Sequence, residues 1–248
     1  MLLLFNFIKK ILFLGVFFAI LSFTLLVYFL WKYSPELPSY KELKDYNPSL
    51  TSRVFTSDGV LLDKYSIEER IFIPIDRIPQ DLKNAFLAAE DKNFYNHIGI
   101  DFIAVLRASF TNVINKISDK RMIGASTITQ QVVKNLLLSN EVSLERKFKE
   151  MILAIRIERV LKKDQILELY LNDIYLGYGS FGVASASLNY FNKSLNDLAL
   201  EESAFLAALP KAPNNYHPVK NYKKALDRRN WVLNQMFENK FIDKEKLE

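Results

Sequence analysis

The 248-residue chain contains no cysteine and only two histidines. Disulfide frameworks, thiolate metal sites and cysteine nucleophiles are thereby excluded. A cysteine-free chain suits an oxidising compartment, though many cytosolic chains share that composition. No His-rich or Asp-rich cluster marks a metal site, and there is no internal repeat or low-complexity segment. Charge is absent from Ile11–Trp31. At about 1.5 Å per residue those 21 positions span roughly 31 Å, close to a bilayer's hydrocarbon thickness. Lys9-Lys10 before the stretch and Tyr28, Trp31 and Tyr33 at its far end match interfacial anchors. No small-x-small cleavage pattern follows Trp31, so an uncleaved anchor is expected rather than a signal peptide. Lys32, Lys41 and Lys44 lie just beyond it, so charge alone does not set the orientation.

What charge there is sits unevenly. The formal net charge is +5, and Lys134–Lys163 alone holds eight Lys/Arg against four Glu. A concentrated cationic stretch suggests an anionic ligand or membrane surface, with a solvated helix face as the plainer alternative. The modest total and the tether argue against nucleic acid.

After the anchor, Ser34–Pro48 carries three prolines and reads as a linker. Arg53–Tyr65 places β-branched and apolar residues around Asp58-Gly59, a hairpin signal, and Arg70–Ile75 could add a short strand. The remainder reads as helical. Pro79 followed by Gln80-Asp81 starts a helix in which Leu82, Ala85, Phe86 and Ala89 recur at helical spacing. Glu90 falls in its last turn, where partial burial raises a carboxyl pKa and suits it to proton transfer near neutrality. A solvated Glu-Asp pair at a helix end is the alternative.

Asp101–Lys120 forms a stripe of Ile103, Leu106, Phe110, Val113, Ile114 and Ile117, for which core packing is the default expectation. In Gly124–Gln131 (GASTITQQ), Ser126 or Thr127 can cap the following helix, and Gln131 and Lys134 share a face. Leu144, Phe148, Met151, Ile152 and Ile155 form an apolar stripe, with Arg146, Lys147 and Glu150 off it. Lys163–Asn172 is an amphipathic helix whose Ile166, Leu167, Tyr170 and Leu171 are expected in the core. Gly177–Gly182 (GYGSFG) satisfies G-x-G-x-x-G, but a helical segment precedes it, so a helix-to-helix loop is expected and not a dinucleotide site. Leu198–Pro213 is an alanine-rich helix stopped by Pro210 and Pro213.

EDKNFYNHIG fits E-D-x-x-F-x-x-H-x-G, the signature that opens glycosyltransferase family 51, the peptidoglycan glycosyltransferases. GASTITQQ fits the second motif, RKFKE the third, KDQILELYLN the fourth, and LALEESAFLAALPKAP resembles the fifth. The five stand in family order from Glu90 to about Pro213. The chain thus resembles the N-terminal domain of class A penicillin-binding proteins. One departure stands out, since Val142 occupies a place where many members have arginine.

The resemblance implies a mostly α, lysozyme-like two-lobed fold with a small N-terminal β element, preceded by one transmembrane helix. The expected organisation is 1–10 cytoplasmic, 11–31 anchor, 32–50 linker, 51–230 glycosyltransferase domain and 231–248 a C-terminal helical or linker segment. The implied reaction joins lipid II units into β-1,4-linked glycan with release of undecaprenyl pyrophosphate. Glu90 is the implied general base and Glu150 the second acidic residue. Asp91, Ser126, Thr127, Gln131, Lys134, Arg146 and Lys147 are implied to bind substrate or pyrophosphate, and some members use a divalent cation such as Mg or Mn. The implied partners are lipid II, the growing strand, the cytoplasmic membrane and other cell-wall synthesis proteins, with the domain on the periplasmic side. The resemblance also makes the stripe on 101–120 a surface that dips into lipid. A lysozyme-like hydrolase also uses two carboxylates, but a neutral glycosidic bond gives no reason for clustered cations. An inert membrane-anchored scaffold is the other alternative. No S-x-x-K occurs, so the serine nucleophile of a transpeptidase is lacking; a single-activity transferase or the first part of a two-activity protein is expected, the linker-like ending favouring the second.

Overall fold

The computed structural model describes residues 2–38, 52–58, 61–65, 69–118, 122–138, 141 and 143–247; Gly59 and Val142 lie outside them. Helix α1 (Leu2–Tyr33) runs through the uncharged stretch. Its segment Leu12–Tyr33 is long and apolar enough to cross a membrane by length and composition. The last turn of α1 does not simply trail into a linker. Phe29 stacks on Phe148 with ring centroids 4.5 Å apart, and Tyr33 is buried with the Lys149 ammonium 5.6 Å from its ring centre.

The expected hairpin forms from β1 (Ser52–Phe55) and β2 (Leu61–Tyr65), paired antiparallel with Val54 opposite Asp63. The strand expected at 70–75 is reduced to β3 (Glu69–Arg70). It pairs in parallel with β4 (Ser180–Phe181), so the GYGSFG segment is a loop containing a short strand. Arg70 also pairs with Asp173. The Asn172 side chain accepts from the Ile73 amide at 2.8 Å and donates to the Ile73 carbonyl at 2.9 Å, sewing this segment to the end of a helix.

The helical body comprises α2 (Gln80–Glu90), α3 (Phe102–Ile117), α4 (Ile128–Leu137), α5 (Leu144–Ile157), α6 (Lys163–Asp173), α7 (Val183–Phe191), α8 (Leu200–Ala208), α9 (Tyr222–Glu238) and α10 (Lys244–Leu247). In α2 the residues Leu82, Ala85 and Phe86 are fully buried, as their spacing predicts. In α8 the buried Ala204, Ala207 and Ala208 let that helix lie close to both α2 and α9. A second group packs α4 between α5 and α6, and Ile166, Leu167, Tyr170 and Leu171 of α6 are all in the core. The fold is mostly α, and its cleft opens between the two groups.

Two apolar expectations fail. Helix α3 buries none of its residues: Ile103, Leu106, Phe110, Val113, Ile114 and Ile117 are exposed, Ile117 at 83%. The Asn112 amide clasps the backbone of Ile123, donating to its carbonyl at 2.9 Å and accepting from its N–H at 2.7 Å. This aligns exposed Met122 and Ile123 beside the same helix. Leu144 is 82% exposed because it occupies the first position of α5, beyond the edge of the packed face.

Candidate active site

Glu90 ends α2, half-buried, and its Oε2 accepts a hydrogen bond from Gln131 Nε2 at 2.9 Å. Burial pushes its pKa above the ordinary carboxyl value. The Gln131 bond and the Arg228 and Lys211 charges oppose that rise, while Asp91 adds slightly to it. Gln131 is aimed by the start of α4, where a reciprocal cap fixes the backbone. Thr127 Oγ1 accepts from the Gln130 amide at 3.1 Å, and Gln130 Oε1 accepts from the Thr127 amide at 3.0 Å. The Thr127 hydroxyl donates to the Gly99 carbonyl at 2.6 Å. Gly99 has φ +94°, and a Cβ there would stand 2.6 Å from the Ala154 carbonyl oxygen, so only glycine lets this loop touch α5.

Asp91 is committed elsewhere within the same frame. Its Oδ2 accepts from the Ile128 amide at 3.0 Å, and His97 Nε2 lies 2.9 Å away. It therefore ties the end of α2 to the N-terminus of α4. Beyond His97, Glu158 accepts from Thr129 Oγ1 and Lys163 Nζ, each at 2.7 Å.

Glu150 is 3% exposed on α5. Lys147 Nζ donates to Glu150 Oε2 at 2.7 Å and to Ser126 Oγ at 2.8 Å, joining the second motif to the third. Arg146 Nε is 3.1 Å from Glu150 Oε1, yet neither atom has a well-directed hydrogen bond. Both cations thus neutralise a buried carboxylate whose second oxygen keeps acceptor capacity.

Two cavities meet at Glu90. The larger, about 460 Å³, is lined by Glu90, Ser126, Gln131, Lys134 and Glu150, with Lys211, Arg228 and Trp231 opposite. The smaller, about 210 Å³, lies between Glu90, Asp91, Ser126, Thr127 and the Arg107 side of α3. Glu90 and Ser126 belong to both, and so do Ile123 and Gly124. Among the described residues Arg146 and Lys147 line neither cavity and join the site through Glu150 and Ser126. The cationic stretch is therefore divided. Lys134 lines the cleft, whereas Lys149 pairs with Glu145, Arg156 holds Ser34 and Lys163 pairs with Glu158.

Among the described residues no group of three or more His, Cys, Asp or Glu is placed to hold a metal ion. Glu150 already faces the Arg146 and Lys147 cations, and Asp91 is held by the Ile128 amide and His97, so this donor set does not fit a divalent ion. No chemical step is assigned to one.

Lys211, Arg228, Trp231 and Arg107 had not been singled out from sequence. Lys211 lay inside the fifth motif, in LPKAP, and could have been found there. Arg228 gave no signal: its guanidinium lies 3.8 Å from the Trp231 ring centre, a contact across one turn of a helix otherwise crowded with Lys and Arg.

A helical domain whose motif residues converge on a cleft with two carboxylates defines a class, and the chain belongs to the transglycosylase family, whose profile matches residues 58–237. Within that class it is 50% identical over 228 residues to "Penicillin-binding protein 1A" of Rickettsia typhi, covering 92% of this chain and 29% of that protein. It is 45% identical over 230 residues to "Penicillin-binding protein 1A" of Aquifex aeolicus, covering 93% and 31%. A solved penicillin-binding protein 1A from Haemophilus influenzae aligns over 82% of this chain and 20% of its own at 29% identity and a TM-score of 0.45. The chain thus spans less than a third of the length of these relatives.

Proposed function

We propose that this chain polymerises lipid II into β-1,4-linked glycan. The acceptor's 4-hydroxyl oxygen attacks the donor's anomeric carbon and gives its proton to Glu90. The anomeric C–O bond to undecaprenyl pyrophosphate breaks with inversion, and the electron pair leaves on the phosphate oxygen. The observation that carries this reading is the position of Glu90 on the shared wall of two cavities, the larger bearing Lys134, Lys211 and Arg228. A desolvated carboxylate suits proton removal, and clustered cations suit a departing pyrophosphate. Glu150, held by Arg146 and Lys147, organises that side through Ser126.

The exposed face of α3, continued by Met122 and Ile123 at the cleft's edge, is where we place the substrate's lipid. In this reading α1 spans the cytoplasmic membrane and the domain faces the periplasm, where other cell-wall synthesis proteins are its partners. The test supplies the purified full chain, in detergent, with labelled lipid II. Long glycan polymer is expected from the parent and none from Glu90→Gln. Short fragments released from finished peptidoglycan, without polymer, would replace this reading by hydrolysis.

A further inference from the structure

On a different face of α9 from Arg228 and Trp231, a cavity of about 200 Å³ opens between the end of α7, α8 and the first turns of α9. Four rings, those of Tyr190, Phe191, Phe205 and Tyr222, form part of its wall. Phe205 meets Tyr190 edge-on at 5.5 Å and Phe191 at 5.8 Å. The Tyr190 hydroxyl donates to the Leu176 carbonyl at 3.0 Å, which fixes that ring's orientation. Tyr222 stands at the mouth, 66% exposed, and Glu201 and Arg229 supply a carboxylate and a guanidinium among the lining groups.

Close by, Tyr178 is 67% exposed with its ring centre 6.0 Å from that of Tyr190. Its φ is +53°, between Gly177 and Gly179 at +84° and +69°. Tyrosine rarely occupies that backbone region. The loop thus holds a large ring out in solvent beside a cavity already lined with rings.

Rigid aromatic faces with a few hydrogen-bonding groups match the two-sided chemistry of a sugar, whose C–H faces lie on rings while its hydroxyls take polar partners. The volume is below that of a drug-sized pocket and suits about one ring. We infer that this cavity is a saccharide subsite, separate from the Glu90 cleft, that grips one pyranose ring of a β-1,4-linked glycan. It rests on the polymerase reading above, in which such a glycan is the product.

The test measures chitotetraose binding to the full chain in detergent by titration calorimetry and saturation-transfer NMR. The Tyr222→Ala and Tyr178→Ala variants are each expected to weaken binding about five- to tenfold, the loss of one stacking contact. Tyr222→Phe is expected to bind like the parent, as is Glu90→Gln. In a separate arm Tyr222→Ala leaves the initial rate of lipid II coupling unchanged and shortens the product strands. No binding by the parent, or parental affinity in Tyr222→Ala, overturns the subsite; so does loss of binding in Glu90→Gln, which would put the sugar in the cleft. A parent that binds chitotetraose through Tyr222 but makes no polymer would refute the polymerase reading and leave the subsite standing.

Discussion

Gln131 donates to the Glu90 carboxylate at 2.9 Å from a helix whose N-terminus Asp91 itself holds. The residue after the proposed base therefore aims the group that steadies the base. This bond favours the charged form of Glu90 against the burial that disfavours it.

Replacing Glu90 by Gln is expected to lower the polymerisation rate at least about 10²-fold, the usual contribution of a positioned base. Folding is expected to persist. Because the folded pKa is raised, the native state binds more protons than the unfolded state between the ordinary carboxyl value and the raised one. Stability of the parent thus falls as pH rises through that window. Thermal denaturation across pH checks this: Glu90→Gln gains on the parent above the window.

The pH–rate profile carries a companion signature. Activity requires the unprotonated base, so it rises with pH through the elevated Glu90 value. Gln131→Ala removes the hydrogen bond that lowers that value, and the acidic limb of the profile is expected to move to higher pH. An unmoved limb would detach the titration from Glu90.

Gly99→Ala must place a Cβ 2.6 Å from the Ala154 carbonyl oxygen at φ +94°. The expected cost is at least about 2 kcal/mol, or roughly 4–8 °C in melting temperature for a chain of this size. Calorimetry of the full chain reads it directly.

The apolar face of α3 predicts contact with acyl chains. With Phe110→Trp in the full chain reconstituted in bilayers, brominated lipids are expected to quench the added fluorescence beyond that of Trp31 and Trp231. Since Phe110 is exposed, the fold tolerates the change.

Orientation is testable because the chain has no cysteine. A Val219→Cys variant, at an exposed position, is expected to react with an impermeant maleimide added to intact spheroplasts. Protection until lysis would place the domain on the other side.

The helices were readable from sequence because burial repeats every three to four residues, as at Leu82 and Phe86 or Ile166 and Tyr170. The same rule misled at α3, since periodicity reports that one face is apolar and not what covers it. Glu90 at the end of α2, Gln131 and Lys134 on one face of α4 and Glu150 midway along α5 come together because these three helices border one cleft. Arg228 and Trp231 were invisible, for their role depends on α9 packing against α2, a contact spanning more than 130 positions of the chain. The cationic run divides in the fold: Lys134 lines the cleft, whereas Lys149 and Arg156 serve the junction with α1, a division that composition cannot show.

The stacking of Phe29 on Phe148 lies two residues from Glu150 on the same helix. On the proposed reading that α1 crosses a membrane, this contact would make the stem a ruler with a phase as well as a length, setting both the height of the cleft above the bilayer and the way its mouth is turned. One alanine inserted just before Phe29 would swing that ring by about 100°, and the mouth would have to turn with it or let go.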